Sequence, residues 1–431
     1  MDYKQTIEYL FSRLPMFSRI GAAAYKADLV NTIRLLDQLG NPQNKFKSIH
    51  IAGTNGKGST SHMLAATFQT AGLKTGLYTS PHLRDFRERI KIDGAMVDQG
   101  FVIDFTQRIQ PLIEEIEPSF FEITVAMAFE YFAQQQVDVA VVEVGLGGRL
   151  DSTNIIVPIL SIITNIGRDH MNILGDTLEK IAYEKAGIIK DGVPVIIGET
   201  LPETKAVFEK IATERKAPIV FAGEKRYVAE WQSNNHLLEV SVAKNELAQD
   251  HQKYQLDLAG IYQLKNVLTV IEAVDQLHSM GWAVTHEHLQ AALPHVKKLT
   301  GLYGRWQVLQ QHPTVIADVG HNEDGIKQIV QQIELTTYNQ LHMVIGFVKD
   351  KEVSNVLQLL PKTATYYFTK AQIERAMPEE ILQSLAVSNG LRGQSYSEVN
   401  MALKQALANA TKDDLILICG SVFLVGEVNL Q

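Results

Sequence analysis

The run Ile51-Ala-Gly-Thr-Asn-Gly-Lys-Gly-Ser-Thr60 places three glycines around one lysine, directly after an apolar stretch and directly before a helix-patterned one. Glycines let backbone N–H groups approach an anion without Cβ obstruction. The following helix adds free N–H groups and the positive end of its dipole, and Lys57 adds a point charge. Gly53, Thr54, Asn55, Gly56, Lys57, Gly58 and Ser59 therefore read as a cradle for the phosphates of a nucleoside triphosphate with magnesium. Ile51 stands where the usual Walker spacing has its first glycine, so the loop is a tighter relative with Gly53 four residues ahead of the lysine. A glycine-rich turn without a ligand would need no lysine between its glycines.

Polar residues at other apolar-run ends point to the same rim. Glu143 closes Val137–Val142 and precedes Gly145-Leu-Gly-Gly-Arg149. Asp169-His170 follows Ile159–Thr164, and Thr79-Ser-Pro-His82 ends a neighbouring run and offers the Ser80 hydroxyl. Ligands of open parallel sheets bind at the carboxyl ends of strands. Glu143 suits a hard cation; His170 is an unusual partner for magnesium and could instead orient a water. Lys185, near the end of a helix-patterned segment, could pair with Glu143 or a phosphate, or serve as a surface lysine favoured by the helix dipole.

The elements that must position these groups follow an α/β pattern. Short apolar runs at 48–52, 75–79, 137–143, 159–164 and 194–198 alternate with helical patterns at 60–71, 123–135 and 177–186, as expected for one largely parallel sheet with flanking helices. Alternating stretches between 220 and 258, such as Leu237–Val242, suggest a small antiparallel patch, and Gly260–Ala273 reads as a helix with a glycine start. A second α/β series has strands near 314–318, 341–346, 365–369 and 415–419. The expected division is 1–297, a nucleotide-binding domain, and 298–431, a smaller Rossmann-like domain, with the boundary near 296–302.

The chain has 431 residues, more than one core usually supports. Its net charge of −8 gives no general reason to bind nucleic acid or an anionic membrane, so any phosphate affinity must be local. The start, Met1-Asp-Tyr-Lys-Gln, lacks the pattern of a secretory signal. No apolar run approaches the roughly 20 residues that span a bilayer. The single cysteine, Cys419, sits in an apolar stretch and reads as a buried thiol. A cytoplasmic location and a monomer are the expectations.

Taken in order, Gly53–Ser59, Thr79-Ser-Pro-His82, Glu143-Val-Gly-Leu-Gly-Gly-Arg-Leu-Asp151, Asp169-His170 with Leu174-Gly175, and Glu184-Lys-Ala-Gly-Ile188 resemble the folylpolyglutamate synthase and dihydrofolate synthase group of the Mur ligase superfamily. The resemblance implies ATP-dependent ligation: a pterin-bearing carboxylate takes the γ-phosphoryl group, and the amine of L-glutamate displaces phosphate from the acyl phosphate. It implies Ser80, Glu143 and His170 as magnesium ligands and Lys185 as a lysine carbamylated by carbon dioxide. It also implies Ser119, Phe120, Phe121 and Glu122 with Leu150, Asp151 and Ser152 as the pterin site. Adjacent aromatics could stack on a flat heterocycle while Glu122 accepts from its N–H groups, although one of the two phenylalanines is expected in the core. Asn266, Arg305 and Asp318 are implied to reach ATP in a cleft that closes between the domains. His321 is implied to orient the amine and Ser421 to lie near the glutamate pocket. Phe17–Tyr25 matches the family's pterin-site motif only loosely, Glu323 stands where proline is usual, and Tyr303 likewise.

Two other readings are distinguishable. A peptidoglycan-precursor ligase of the same superfamily carries a further amino-terminal domain, whereas about 47 residues precede the loop here. A nucleotide-switched interaction module would show no glutamate-dependent ADP release.

Overall fold

The computed structural model describes residues 1–16, 21, 26, 28–233, 236–244, 251–349 and 353–430. The chain divides into two compact units: residues 1–232, 239–257 and 263–302 form the first, and 233–238, 258–262 and 303–431 the second.

The first unit is built on an eight-stranded sheet. Its strands are β1 (Lys47–Ala52), β2 (Thr75–Tyr78), β3 (Ile90–Ile92), β4 (Ala95–Met96), β5 (Val139–Glu143), β6 (Leu160–Ile163), β7 (Val195–Ile197) and β8 (Ile219–Phe221), in the order β4-β3-β2-β5-β1-β6-β7-β8. The six strands from β2 to β8 in that order pair in parallel, and β3 and β4 extend the sheet antiparallel. All five apolar runs expected to be strands are present. The β-branched residues inside the strands they form are fully buried, as a parallel sheet covered by helices requires. The strands that periodicity missed are short: β3 holds Lys91 at its centre, buried because its ammonium donates to Thr300 O at 2.7 Å.

Helix Lys57–Thr70 follows β1 and is buried over most of its length. Helix Phe120–Gln134 precedes β5, and Leu178–Ala186 precedes β7. Between 220 and 258 the alternating stretches form a three-stranded sheet of β9 (Tyr227–Ser233), β10 (Leu238–Ala243) and β11 (Gln252–Leu256). Helix Gln263–Ser279 begins three residues after Gly260, once Ile261 N–H has been taken by Gln332 Oε1 at 2.6 Å.

A buried ionic cluster holds the far end of that helix. Arg226, with its side chain 3% exposed, donates to Glu272 Oε2 at 2.7 Å and Asp275 Oδ2 at 2.6 Å, while His286 Nε2 lies 2.6 Å from Asp275 Oδ1. Removing the guanidinium leaves a carboxylate buried without its counter-charge, so Arg226→Met is expected to lower unfolding free energy by about 3–5 kcal/mol in urea titration. Burial pushes the Asp275 carboxyl up, but His286 and Arg226 outweigh it and hold it well below the usual carboxylate range. A depressed folded value stabilises above the unfolded pKa of about 3.9. Wild type should therefore lose this contribution as pH falls below about 4, and the variant should show a shallower acid loss.

The second unit has six strands: β12 (Gln307–Gln311), β13 (Thr314–Ala317), β14 (Leu341–Ile345), β15 (Thr365–Phe368), β16 (Arg392–Ser395) and β17 (Leu415–Cys419), ordered β12-β13-β17-β14-β15-β16. Only β12 is antiparallel to its neighbour. This is the smaller Rossmann-like α/β layer expected from the sequence, with β12 and β16 added at its edges. Cys419 is buried there.

Candidate active site

The phosphate loop is shaped by what surrounds it. Gly53 has φ of +151°, and a Cβ at that position would lie 1.9 Å from Thr164 Oγ1; at Gly56, with φ of +84°, it would lie 2.4 Å from Asn266 Oδ1. No other residue type fits either place without displacing its neighbour. The segment after β6 braces the loop: Thr54 N–H donates to Asn165 O at 3.0 Å, Asn55 N–H to Asn165 Oδ1 at 2.8 Å, and Thr164 Oγ1 to Asn55 O at 2.6 Å. The N–H groups of Thr54 and Asn55 thus point into the protein. Those of Gly56, Lys57, Gly58 and Ser59 open the helix, where no intrahelical acceptor exists. Asn165 carried no signal in the sequence beyond being polar at a strand end.

Two ammonium groups converge on one carbonyl. Lys57 Nζ and Lys185 Nζ each lie 3.0 Å from Gly53 O. Lys185 is 4% exposed, so it is not a solvated helix-end lysine. Burial, reinforced by the Lys57 charge, holds it down to about 7, with Asp169 and Asp151 pulling the other way. The Lys57 ammonium at the mouth of the helix makes this a place for a polyanion.

Ser80 N lies 3.4 Å from Glu143 Oε2, bringing those two residues together at the ends of β2 and β5. His170 adopts a left-handed conformation with φ of +50° and precedes a one-turn helix, Met171–Leu174. Its N–H donates to Asp169 Oδ1 at 2.8 Å. Among the described residues no group of three or more His, Cys, Asp and Glu side chains is arranged to hold a metal ion. A serine hydroxyl and a carboxylate completed by water and phosphate oxygens nevertheless fit magnesium, which keeps several non-protein ligands.

Ser119 caps helix Phe120–Gln134. Its N–H donates to Glu122 Oε2 at 2.6 Å, and Glu122 N–H returns to Ser119 Oγ at 3.3 Å. Glu122 thus already accepts a bond within the protein. Phe120 is buried in the core, whereas Phe121 is partly exposed beside Tyr78, with ring centroids 6.2 Å apart. Asp151 is buried and caps the short helix Ser152–Ile155, with Leu150 half-buried before it. The loosely matching stretch 17–25 lies outside the described residues, apart from Gly21.

Asn266 is held in the first unit by its Nδ2 donating to Gln263 Oε1 at 2.8 Å; Gln263 Nε2 in turn lies 3.0 Å from Ser59 Oγ at the phosphate loop. Gln263, fully buried, was not singled out from the sequence. In the second unit Asp318 accepts from Trp306 N–H at 2.8 Å, Tyr262 Oη at 2.6 Å and Gly320 N–H at 2.8 Å. Burial raises its carboxyl above the usual range. Arg305 lies between Gly304 and Trp306, whose φ values are +74° and +45°. His321 Nδ1 is 2.9 Å from Val319 O, and Ser421 caps Val422–Gly426 by accepting from Phe423 N–H at 3.2 Å.

Residues 51–274 match the Mur ligase middle domain, and residues 304–422 match the Mur ligase glutamate ligase domain. The dihydrofolate synthase/folylpolyglutamate synthase of Bacillus subtilis is 32% identical over 407 residues, covering 92% of each chain. The chain belongs to this family of Mur ligases. The structure of Escherichia coli FolC in complex with DHPP and ADP superposes with a TM-score of 0.84 at 28% identity, covering 99% of this chain and 96% of that one. Mycobacterium tuberculosis folylpolyglutamate synthase complexed with ADP gives 0.87 at 29% identity, covering 98% and 96%. Family membership makes the chain an ATP-dependent ligase, and the match across both units sets aside the nucleotide-switch reading. No helix of the described residues is long and apolar enough to cross a membrane.

Proposed function

We propose that this ligase joins L-glutamate to dihydropteroate, to reduced folates, or to both, through an acyl phosphate. The observation that carries this reading is the convergence of Lys57 and Lys185 on Gly53 O at the mouth of a helix, beside the paired Ser80 and Glu143. Phosphoryl transfer needs positioning and charge neutralisation more than covalent chemistry. Helix N–H groups from Gly56 to Ser59 and the Lys57 ammonium take the phosphate oxygens. Ser80, Glu143 and His170 would hold magnesium, which would offset the charge of the phosphate oxygens. Asn266 is assigned to ATP, Asp318 to the nucleotide and Arg305 to the transferred group. Phe121 offers a flat apolar face to a heterocycle, and Leu150 and Ser152 are assigned to the same substrate. His321 and Ser421 orient the incoming glutamate.

Lys185 is assigned as the carbamate. Its neutral amine attacks carbon dioxide, forming an N–C bond and releasing a proton, and the product carries an oxygen anion where the ammonium stood. A site residue held down to about 7 supplies that amine at neutral pH. Replacing one of the two ammoniums by an anion also relieves their mutual repulsion.

The assay is product analysis by mass spectrometry with ATP, magnesium, L-glutamate and, separately, dihydropteroate or tetrahydrofolate. The expected result is a product heavier by one glutamyl residue with stoichiometric ADP. ADP formation indifferent to both glutamate and pterin would reject the reading.

A further inference from the structure

At the centre of β1, His50 is wholly buried, opposite Val142 of β5 and Ser161 of β6. An imidazole inside an apolar parallel sheet is costly unless its polar atoms find partners. Its Nε2 finds one across about a hundred residues, Thr153 Oγ1 at 2.9 Å. The same hydroxyl bonds to Asp151 Oδ1, which also accepts Thr153 N–H at 3.0 Å, while Asp151 Oδ2 accepts Leu146 N–H at 2.8 Å.

Burial raises the Asp151 carboxyl above its usual value, while the N–H groups of Leu146 and Thr153 favour its ionised form; with the carboxylate ionised, proton counting gives the direction of this chain. Threonine has one hydroxyl proton, and an ionised carboxylate can only accept. The Thr153 proton therefore goes to Asp151, and the hydroxyl must accept from His50 Nε2–H. Burial, with the Lys190 charge adding to it, pushes the His50 ring down to about 3, so it is neutral near pH 7 and carries a single N–H. The remaining nitrogen, Nδ1, is then a bare lone pair, and it is the buried atom that lacks a hydrogen-bond partner.

The far end of the chain lies in the turn after Glu143. Asp151 ties down Leu146 N–H, and a Cβ on Gly145 would lie 2.4 Å from Phe121 and 3.2 Å from Asp151 Oδ2, so the turn is packed between the two. We infer that His50 and Thr153 are positioning residues: they fix the Asp151 carboxylate, and through it the Gly145–Leu146 turn against Phe121, and thereby set affinity for the heterocyclic substrate. The inference rests on the reading of Phe121 and its neighbours as the pterin site.

Thr153→Val keeps the shape and removes the hydroxyl, while Thr153→Ser keeps the hydroxyl. His50→Leu removes the first donor. Steady-state kinetics should show KM for the pterin substrate raised about tenfold in Thr153→Val and His50→Leu. Thr153→Ser should stay within about twofold of wild type, and KM for ATP should stay within about twofold throughout. The double variant His50→Leu/Thr153→Val should be no worse than Thr153→Val alone, because both interrupt one chain. If His50→Leu does not fold, the Val and Ser pair at 153 decides. An unchanged pterin KM in Thr153→Val, equal damage by Val and Ser, or parallel rises for pterin and ATP would overturn the inference. Phe121→Ala separates the two levels. A raised pterin KM there with none in Thr153→Val rejects the positioning role alone, and no effect there removes the pterin-site reading and this inference with it.

Discussion

Lys185→Ala is expected to lower glutamate-dependent ADP formation on the order of 10³-fold, and added formate or acetate is expected to restore a measurable part of it. The side chain is buried with its Nζ on Gly53 O, so truncation opens a polar space beside the phosphate loop that a small carboxylate can enter. Rescue by a carboxylate and not by an alkylammonium is the signature of an anion at that position. Loss relieved by amines instead would make Lys185 a plain counter-charge to phosphate. Full activity without additives would remove it from the site. Circular dichroism of the variant checks that helix Leu178–Ala186 still packs.

The second large effect is expected at Arg305. Arg305→Ala should cut kcat about 10²- to 10³-fold with a much smaller change in KM for ATP, because the charge it meets is greatest on the phosphoryl group in transfer. Its resolved hydrogen bond is local, to Gly304 O at 3.2 Å, so unfolding temperature should hardly move. The backbone around it is costly: Trp306 is a bulky residue in the left-handed region, held there by its N–H on Asp318 and by complete burial. Arg305→Lys should recover little, since an ammonium lacks the planar fork. Unchanged turnover in Arg305→Ala would end its assignment.

Much of this site was legible because its chemistry lies in short, local patterns. Gly53–Ser59 sits between an apolar strand and a helix, and Ser80, Glu143, Asp169 and Asp318 lie at or shortly after the ends of apolar runs. The strands that escaped notice show why the rest was not. Arg392–Ser395 and Gln307–Gln311 carry polar residues and lie at sheet edges, where no two-sided burial enforces an apolar run. Nor does periodicity reveal that residues 233–238 and 258–262 belong to the second unit. Lys185 reads on paper like any lysine at a helix end; only its neighbours, brought from Gly53 across 132 positions, make it different. Asn165, Gln263 and the His50–Thr153 pair are likewise defined by partners 100 or more residues away.

The central claim is that the substrate carboxylate itself is phosphorylated before glutamate arrives. It is tested by turnover of dihydropteroate whose benzoate carboxylate is labelled with oxygen-18, followed by mass analysis of the inorganic phosphate. The account predicts one labelled oxygen in each phosphate released and one retained in the new amide carbonyl. Phosphate free of label alongside a normal yield of ligated product would contradict it.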